Sequence, residues 1–177
     1  DYVRPSPKGT KWGLGGTCVN VGCIPKKLMH LTAHLGEIRH DQKESGWDVD
    51  PSKPHNWNNM LNRINGHIKS LNFGYKSALM KQEVDYLNCR ATLKDKNTLL
   101  LIRDGQEDRI VTAEKILIAV GGRPNYLNVE GCRELCITSD DIFWTKTPPG
   151  KTLVIGAGYI GLECGGFLKG LGKEVDI

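Results

Sequence analysis

The chain reads as an α/β protein, and three observations predict that class. A short apolar run, Lys151-Thr152-Leu153-Val154-Ile155, leads into Gly156-Ala157-Gly158-Tyr159-Ile160-Gly161 and then into a helical segment, Leu162 to Leu171. Three short β-prone segments follow one another between Val84 and Thr112. Two long stretches before them carry apolar residues every three or four positions, the period of a helix. The strand–turn–helix order predicts a Rossmann-type parallel sheet, and the consecutive strands predict an antiparallel β-meander.

The first element is the run Gly15-Gly16-Thr17-Cys18-Val19-Asn20-Val21-Gly22-Cys23-Ile24-Pro25-Lys26-Lys27. Two cysteines stand five positions apart across a loop that contains Gly22, close enough for their side chains to reach bonding geometry. Gly22 can take φ values that other residues avoid. Pro25 suits a first helical turn, where its missing N–H costs nothing. Leu28, Leu31, Leu35 and Ile38 then recur at helical spacing, so a helix is expected to start near Cys23. The helix dipole together with Lys26 and Lys27 favours thiolate, the reactive form. The layout suits a dithiol that cycles between reduced and oxidised states. A structural disulfide and half of a metal site are the alternatives, although no second ligand pair follows.

A polar, turn-rich stretch from Asp41 to Asn56 separates this helix from the next. Trp57, Leu61, Ile64, Ile68, Leu71, Tyr75 and Leu79 form an apolar stripe that reads as a packing face. Segments Val84 to Leu93, Thr98 to Arg103 and Arg109 to Thr112 read as strands, with Asp104-Gly105 turning between the last two. Lys115-Ile116-Leu117-Ile118-Ala119-Val120 is continuously apolar after its first residue and is expected to be a buried strand ending at Gly121-Gly122. Pro124 to Pro149 is an irregular connector. The glycine motif at 156–161 follows a strand and opens a helix, the setting in which a pyrophosphate meets free N–H groups at a helix N-terminus. A tight turn with no ligand is the other reading. The residue that separates NAD from NADP would fall beyond Ile177.

Composition narrows the classes. A net charge of +4 over 177 residues is mild and spread out, which gives no argument for nucleic acid. No apolar run approaches the ~20 residues of a membrane span. Six cysteines are too few and too scattered for a disulfide scaffold. Cys89, Cys132, Cys136 and Cys164 read as ordinary small or exposed residues, and no metal site is expected. The first residue is Asp1 and the last run, Glu174 to Ile177, is strand-like, so the chain reads as an internal piece of a longer polypeptide.

The run from Trp12 to His30 resembles the redox centre of the flavin-dependent pyridine nucleotide–disulfide oxidoreductases, which include glutathione, thioredoxin, mercuric and dihydrolipoamide enzymes. Lys26-Lys27 after Pro25 is similar to the glutathione and thioredoxin branches, and Trp12-Gly13-Leu14 to the large thioredoxin reductases. Lys94 to Thr98 and Ile137 to Phe143 resemble the thioredoxin glutathione reductases of parasitic flatworms.

The resemblance runs from Asp1 to Ile177 and implies a partial, glutathione-reductase-like flavoprotein with two dinucleotide-binding domains. Residues 1–124 would belong to the FAD domain and residues 125–177 would begin the NADPH domain. Electrons would pass from NADPH to FAD, then to Cys18–Cys23, then to thioredoxin and to glutathione disulfide. Cys18 would be the exchange thiol and Cys23 the flavin-contacting one. Gly16, Thr17, Cys18, Gly22, Cys23 and Lys26 would line the flavin, with Ala91 and Gly121 reaching it from the meander and the apolar run. Gly156, Ala157, Gly158, Ile160 and Gly161 would cradle the nucleotide. Tyr159 would cover the flavin until the nicotinamide displaces it. Lys26 would pair with Glu163. Ala119-Val120-Gly121 departs from the family's Ala-Thr-Gly, so any contact by that hydroxyl is lost. A homodimer is implied, with the catalytic His and the redox tail outside these residues and the cytosol or mitochondria as compartment. The alternatives are a glutathione reductase and a non-catalytic nucleotide-binding module with a structural disulfide.

Overall fold

A computed structural model describes residues 2–177. The dithiol segment folds as a short helix, α1 (Gly16–Val21), followed directly by the long helix α2 (Cys23–Glu44). Gly22 is the only residue between them. Its φ of −147° is not left-handed, contrary to the expectation. The glycine is required by space instead: a Cβ there would lie 3.0 Å from the Thr17 carbonyl oxygen. The Lys26 N–H bonds to the Gly22 carbonyl at 3.0 Å and closes the first turn of α2. Pro25 stands in that turn, where a missing donor leaves nothing unpaired.

Helix α3 (Trp57–Lys81) starts where the stripe begins, capped by the Asn56 side chain, which accepts from the Asn59 N–H at 2.9 Å. Trp57, Leu61, Ile64 and Ile68 are buried, as the stripe predicts, but Tyr75 is exposed. The buried face of α2 is Pro25, Met29 and Ala33. Leu31 and Leu35, part of the expected stripe, face outward because α3 and α6 cover the other side.

Strands β1 (Arg90–Leu93), β2 (Thr98–Ile102) and β3 (Arg109–Thr112) form the antiparallel meander in the order β1-β2-β3. Gly105, at φ +76°, turns the second hairpin, and the Gln106 N–H bonds to the Arg103 carbonyl. The first strand is shorter than expected, because residues 84–89 are irregular. The expected strand at Lys115–Val120 is not formed, and Leu117 and Val120 are almost fully exposed. A run that is apolar on both faces needs paired strands on either side, and no strand among the described residues pairs with it.

The connector holds two single-turn helices, α4 (Cys132–Leu135) and α5 (Ser139–Ile142). Thr138 and Asp141 form a capping box on α5. The last unit is β4 (Thr152–Leu153), α6 (Tyr159–Gly170) and β5 (Val175–Asp176), with β4 and β5 parallel. This is the predicted strand–turn–helix–strand order. The expected burial of the first strand is only partial, since Leu153 and Ile155 are exposed. The fold is therefore mixed α/β, with one antiparallel and one parallel sheet.

One core joins these pieces: Val19 and Val21 of α1, Met29 of α2, Trp57 to Ile68 of α3, Ile142 and Phe143, and Phe167 and Leu168 of α6. Two contacts set the relation of α2 to α6. Lys26 meets Glu163 near their N-termini, and two turns on, a Cβ placed at Gly170 would lie 2.9 Å from the Ala33 Cβ. Seven residues separate the two contact positions on each helix. The helices therefore run side by side in the same direction, and their N-termini open at one end.

Candidate active site

Cys18 lies in α1 and Cys23 opens α2, and both side chains are exposed and free. The Cys18 thiol is pushed above its ordinary range, chiefly by its hydrogen bond with Cys23, then by burial and by the Cys23 charge. Lys26 acts in the opposite direction but does not prevail. At Cys18 the influence of Cys23 outweighs that of the Lys26 charge.

Lys26 Nζ lies 2.6 Å from Glu163 Oε1, and both side chains are partly buried, at 26% and 37% exposure. The bond to Glu163 raises the Lys26 pKa. This pair joins residues 137 positions apart and fastens the first turn of the thiol helix to the glycine-turn helix. Cys164, next to Glu163, is pushed up to about 11, first by burial and then by the Glu163 charge. It stays protonated and inert at neutral pH.

The glycine turn fits a nucleotide. Gly156 takes φ +108°. A Cβ at Gly161 would collide with the Gly156 carbonyl oxygen, so only glycine allows the turn to press against the helix. The first helical bond of α6 runs from the Leu162 N–H to the Gly158 carbonyl, so the N–H groups of Tyr159, Ile160 and Gly161 have no partner within the helix. Gly156, Ala157, Gly158, Tyr159 and Ile160 are exposed. Free donors at a positive helix end suit a pyrophosphate. A flavin ring would likewise face the exposed Thr17, Cys18 and Cys23, with Lys26 partly buried one turn on from Cys23 and both sulfurs accessible.

The structure does not bring all the expected residues to this face. Ala91 lies on β1 opposite Leu101, and the extensive contacts of the meander are among its own strands. Gly121 is exposed at φ +68°, two residues before Arg123. Arg123 bonds to Asp140 at 2.8 Å and stacks over Trp12 at 4.6 Å, which ties the loop after the apolar run to the segment leading into α1. Burial raises the Asp140 carboxyl despite this partner. Ser6 and Thr10 both donate to Asp141, and Trp144 Nε1 donates to the Asn20 carbonyl at 3.1 Å, so the connector also braces α1.

Sequence reasoning missed Asn20 and Asn72. Asn20 is fully buried in α1, and its amide donates to the Gly13 and Gly16 carbonyls. Asn72, on α3, donates to the Leu14 carbonyl and to Asn20 Oδ1. The available signal was an amide flanked by two valines between the cysteines. Among the described residues no group of three or more His, Cys, Asp or Glu could hold a metal ion. No helix among them is long and apolar enough to cross a membrane.

A dithiol at one helix N-terminus, ion-paired to a glycine-turn helix beside it, fits one class of protein, and residues 8–177 match the family model described as pyridine nucleotide-disulphide oxidoreductase. The chain belongs to that family. It is 54% identical over 177 residues to thioredoxin reductase SEP1 of Emiliania huxleyi, covering all of this chain and 36% of that protein. It is 53% identical over 181 residues to thioredoxin reductase of Plasmodium falciparum (isolate 3D7), covering all of this chain and 29% of that protein. It is 52% identical over 177 residues to thioredoxin reductase 2, mitochondrial, of Drosophila melanogaster, covering 98% of this chain and 34% of that one. The chain spans about a third of the length of the curated relatives it matches.

Proposed function

We propose that this chain is the dithiol-bearing part of an NADPH-dependent flavoprotein that reduces thioredoxin. The observation that carries the reading is the Lys26–Glu163 pair at 2.6 Å. It holds the thiol helix and the glycine-turn helix together with their N-termini at one end, where a nucleotide's reducing end and the sulfurs would meet. The matched relatives are named thioredoxin reductases, which favours thioredoxin as the acceptor. Glutathione disulfide as a further substrate, a homodimeric assembly and a cytosolic or mitochondrial setting rest on the family resemblance.

When bound, NADPH and FAD supply the two electrons that open the Cys18–Cys23 disulfide. The chain's own groups then have defined tasks. Cys18 as thiolate attacks one sulfur of the incoming disulfide, a mixed disulfide forms, and the first acceptor thiol leaves with a proton. Cys23 attacks Cys18 Sγ, the second acceptor thiol leaves, and the Cys18–Cys23 bond is restored. Because the Cys18 thiol is pushed up, a base that takes its proton would speed the attack. We assign that base to a histidine outside these residues, and none of His30, His34, His40, His55 and His67 is given the role.

Gly16, Thr17, Gly22 and Lys26 would bound the flavin, while contacts from the backbone of Ala91 and Gly121 rest on the family resemblance alone. Gly156, Ala157, Gly158, Ile160 and Gly161 would bind the pyrophosphate, and Tyr159 and Glu163 would face the nicotinamide. Residues 1–124 would belong to the FAD domain and residues 125–177 to the NADPH domain. Thiol labelling of the full-length holoprotein tests the reading. NADPH under anaerobic conditions should make Cys18 and Cys23 alkylatable, and Cys18→Ser and Cys23→Ser should each abolish thioredoxin reduction. Thioredoxin turnover that survives both substitutions would overturn it.

A further inference from the structure

The redox loop is held from a helix that carries no thiol. Asn72 sits on α3, half-buried, and both protons of its amide are used: Nδ2 donates to the Leu14 carbonyl at 2.5 Å and to Asn20 Oδ1 at 3.0 Å. Asn20 in turn uses both of its amide protons, donating to the Gly13 carbonyl at 3.1 Å and the Gly16 carbonyl at 2.8 Å. Two amides in series thus bind the segment 13–16 beneath the N-terminus of α1 and bind α1 itself to α3. The contact is close-fitting. A Cβ placed at Gly13 would lie 2.8 Å from Asn72 Oδ1 and 2.9 Å from its Cγ, so any larger residue there would push the Asn72 amide out of place. Cys18 is the third residue of α1, while Cys23 is fixed at the start of α2. The seating of α1 on α3 therefore sets how closely the two sulfurs approach.

We infer that Asn72 is a positioning residue for the Cys18–Cys23 pair, one that makes the disulfide harder to reduce by holding α1 in bonding register with α2. The inference rests on the proposed redox role of that pair. It acts through effective concentration: sulfurs held in place form their bond more readily than sulfurs on a loosened helix. The relevant equilibrium is Cys18–Cys23 disulfide plus two glutathione thiols giving the protein dithiol plus glutathione disulfide, in which two electrons and two protons pass to the protein sulfurs.

The test equilibrates the full-length protein in glutathione buffers of graded ratio, traps thiols by alkylation and reads the Cys18/Cys23 state by mass spectrometry. Asn72→Leu removes both donors and should move the midpoint about tenfold toward the dithiol, a potential roughly 30 mV less negative. Gly13→Ala pushes on the same contact from the other side and should shift the midpoint in the same direction, which keeps the test open if Asn72→Leu does not fold. Asn62→Leu, on the exposed face of α3, should leave the midpoint unchanged. Parental midpoints in both Asn72→Leu and Gly13→Ala overturn the inference alone. A parent that forms no Cys18–Cys23 bond at any ratio overturns it together with the function on which it rests.

Discussion

Neutralising Glu163 is the sharpest probe of how the two halves of the site are joined. At 2.6 Å the gross attraction between Lys26 and Glu163 is about 6 kcal/mol for an effective dielectric near ~20. Most of that is offset by desolvation, by side-chain ordering and by screening, since more than a third of the Glu163 side chain is exposed. The expected net coupling is about 1 kcal/mol. A double-mutant cycle of Lys26→Met and Glu163→Gln, read by urea unfolding of the full-length protein, measures it.

The pH arm has a definite sign. Glu163 raises the Lys26 pKa above its ordinary value of 10.5, so the folded state binds that proton more tightly than the unfolded one. The stabilisation is fully present below pH 10.5 and is lost as pH rises through the higher, folded-state value. Salt should weaken the coupling only in part, because the pair is half-buried. A coupling indistinguishable from zero at pH 8, or one that persists unchanged after Lys26 has titrated, would refute the account of this pair.

Two further predictions concern the same helix. With its thiol pushed up to about 11 by burial, Cys164 should resist iodoacetamide at pH 8 while Cys18 and Cys23 of the reduced protein are labelled, and Glu163→Gln should bring its pKa down because the carboxylate charge contributes to the shift. Gly161→Ala drives a methyl group into the Gly156 carbonyl, so it should destabilise the glycine turn by about 1–3 kcal/mol and weaken NADPH binding by at least tenfold, measured by unfolding and by calorimetric titration.

Local chemistry was legible where the residues alone determine the outcome. Pro25 and the apolar spacing announced the start of α2, and Gly156 to Gly161 announced the turn into α6. Long-range outcomes were less so. Nothing in the spacing joins Lys26 to Glu163, and only the family resemblance suggested that pairing. Asn72 reads from sequence as one polar residue on a helix, because its partners lie 52 and 58 positions away. Lys115–Val120 has the composition of a buried strand, but composition does not provide the neighbouring strands that such a segment needs. Leu31 and Leu35 kept helical period yet faced outward, since period marks a face without saying which neighbour covers it.

The Ala33–Gly170 crossing has a mechanical consequence for the bridge at the other end of the same two helices. Seven residues at about 1.5 Å rise make an arm of roughly 10 Å between the crossing and the Lys26–Glu163 bond. Were α6 to pivot at that contact, a swing of about 10° would carry Glu163 roughly 2 Å, enough to part it from Lys26. The bond thus works as an angle gauge: it survives only while the thiol-bearing rod and the nucleotide-side rod stay aligned.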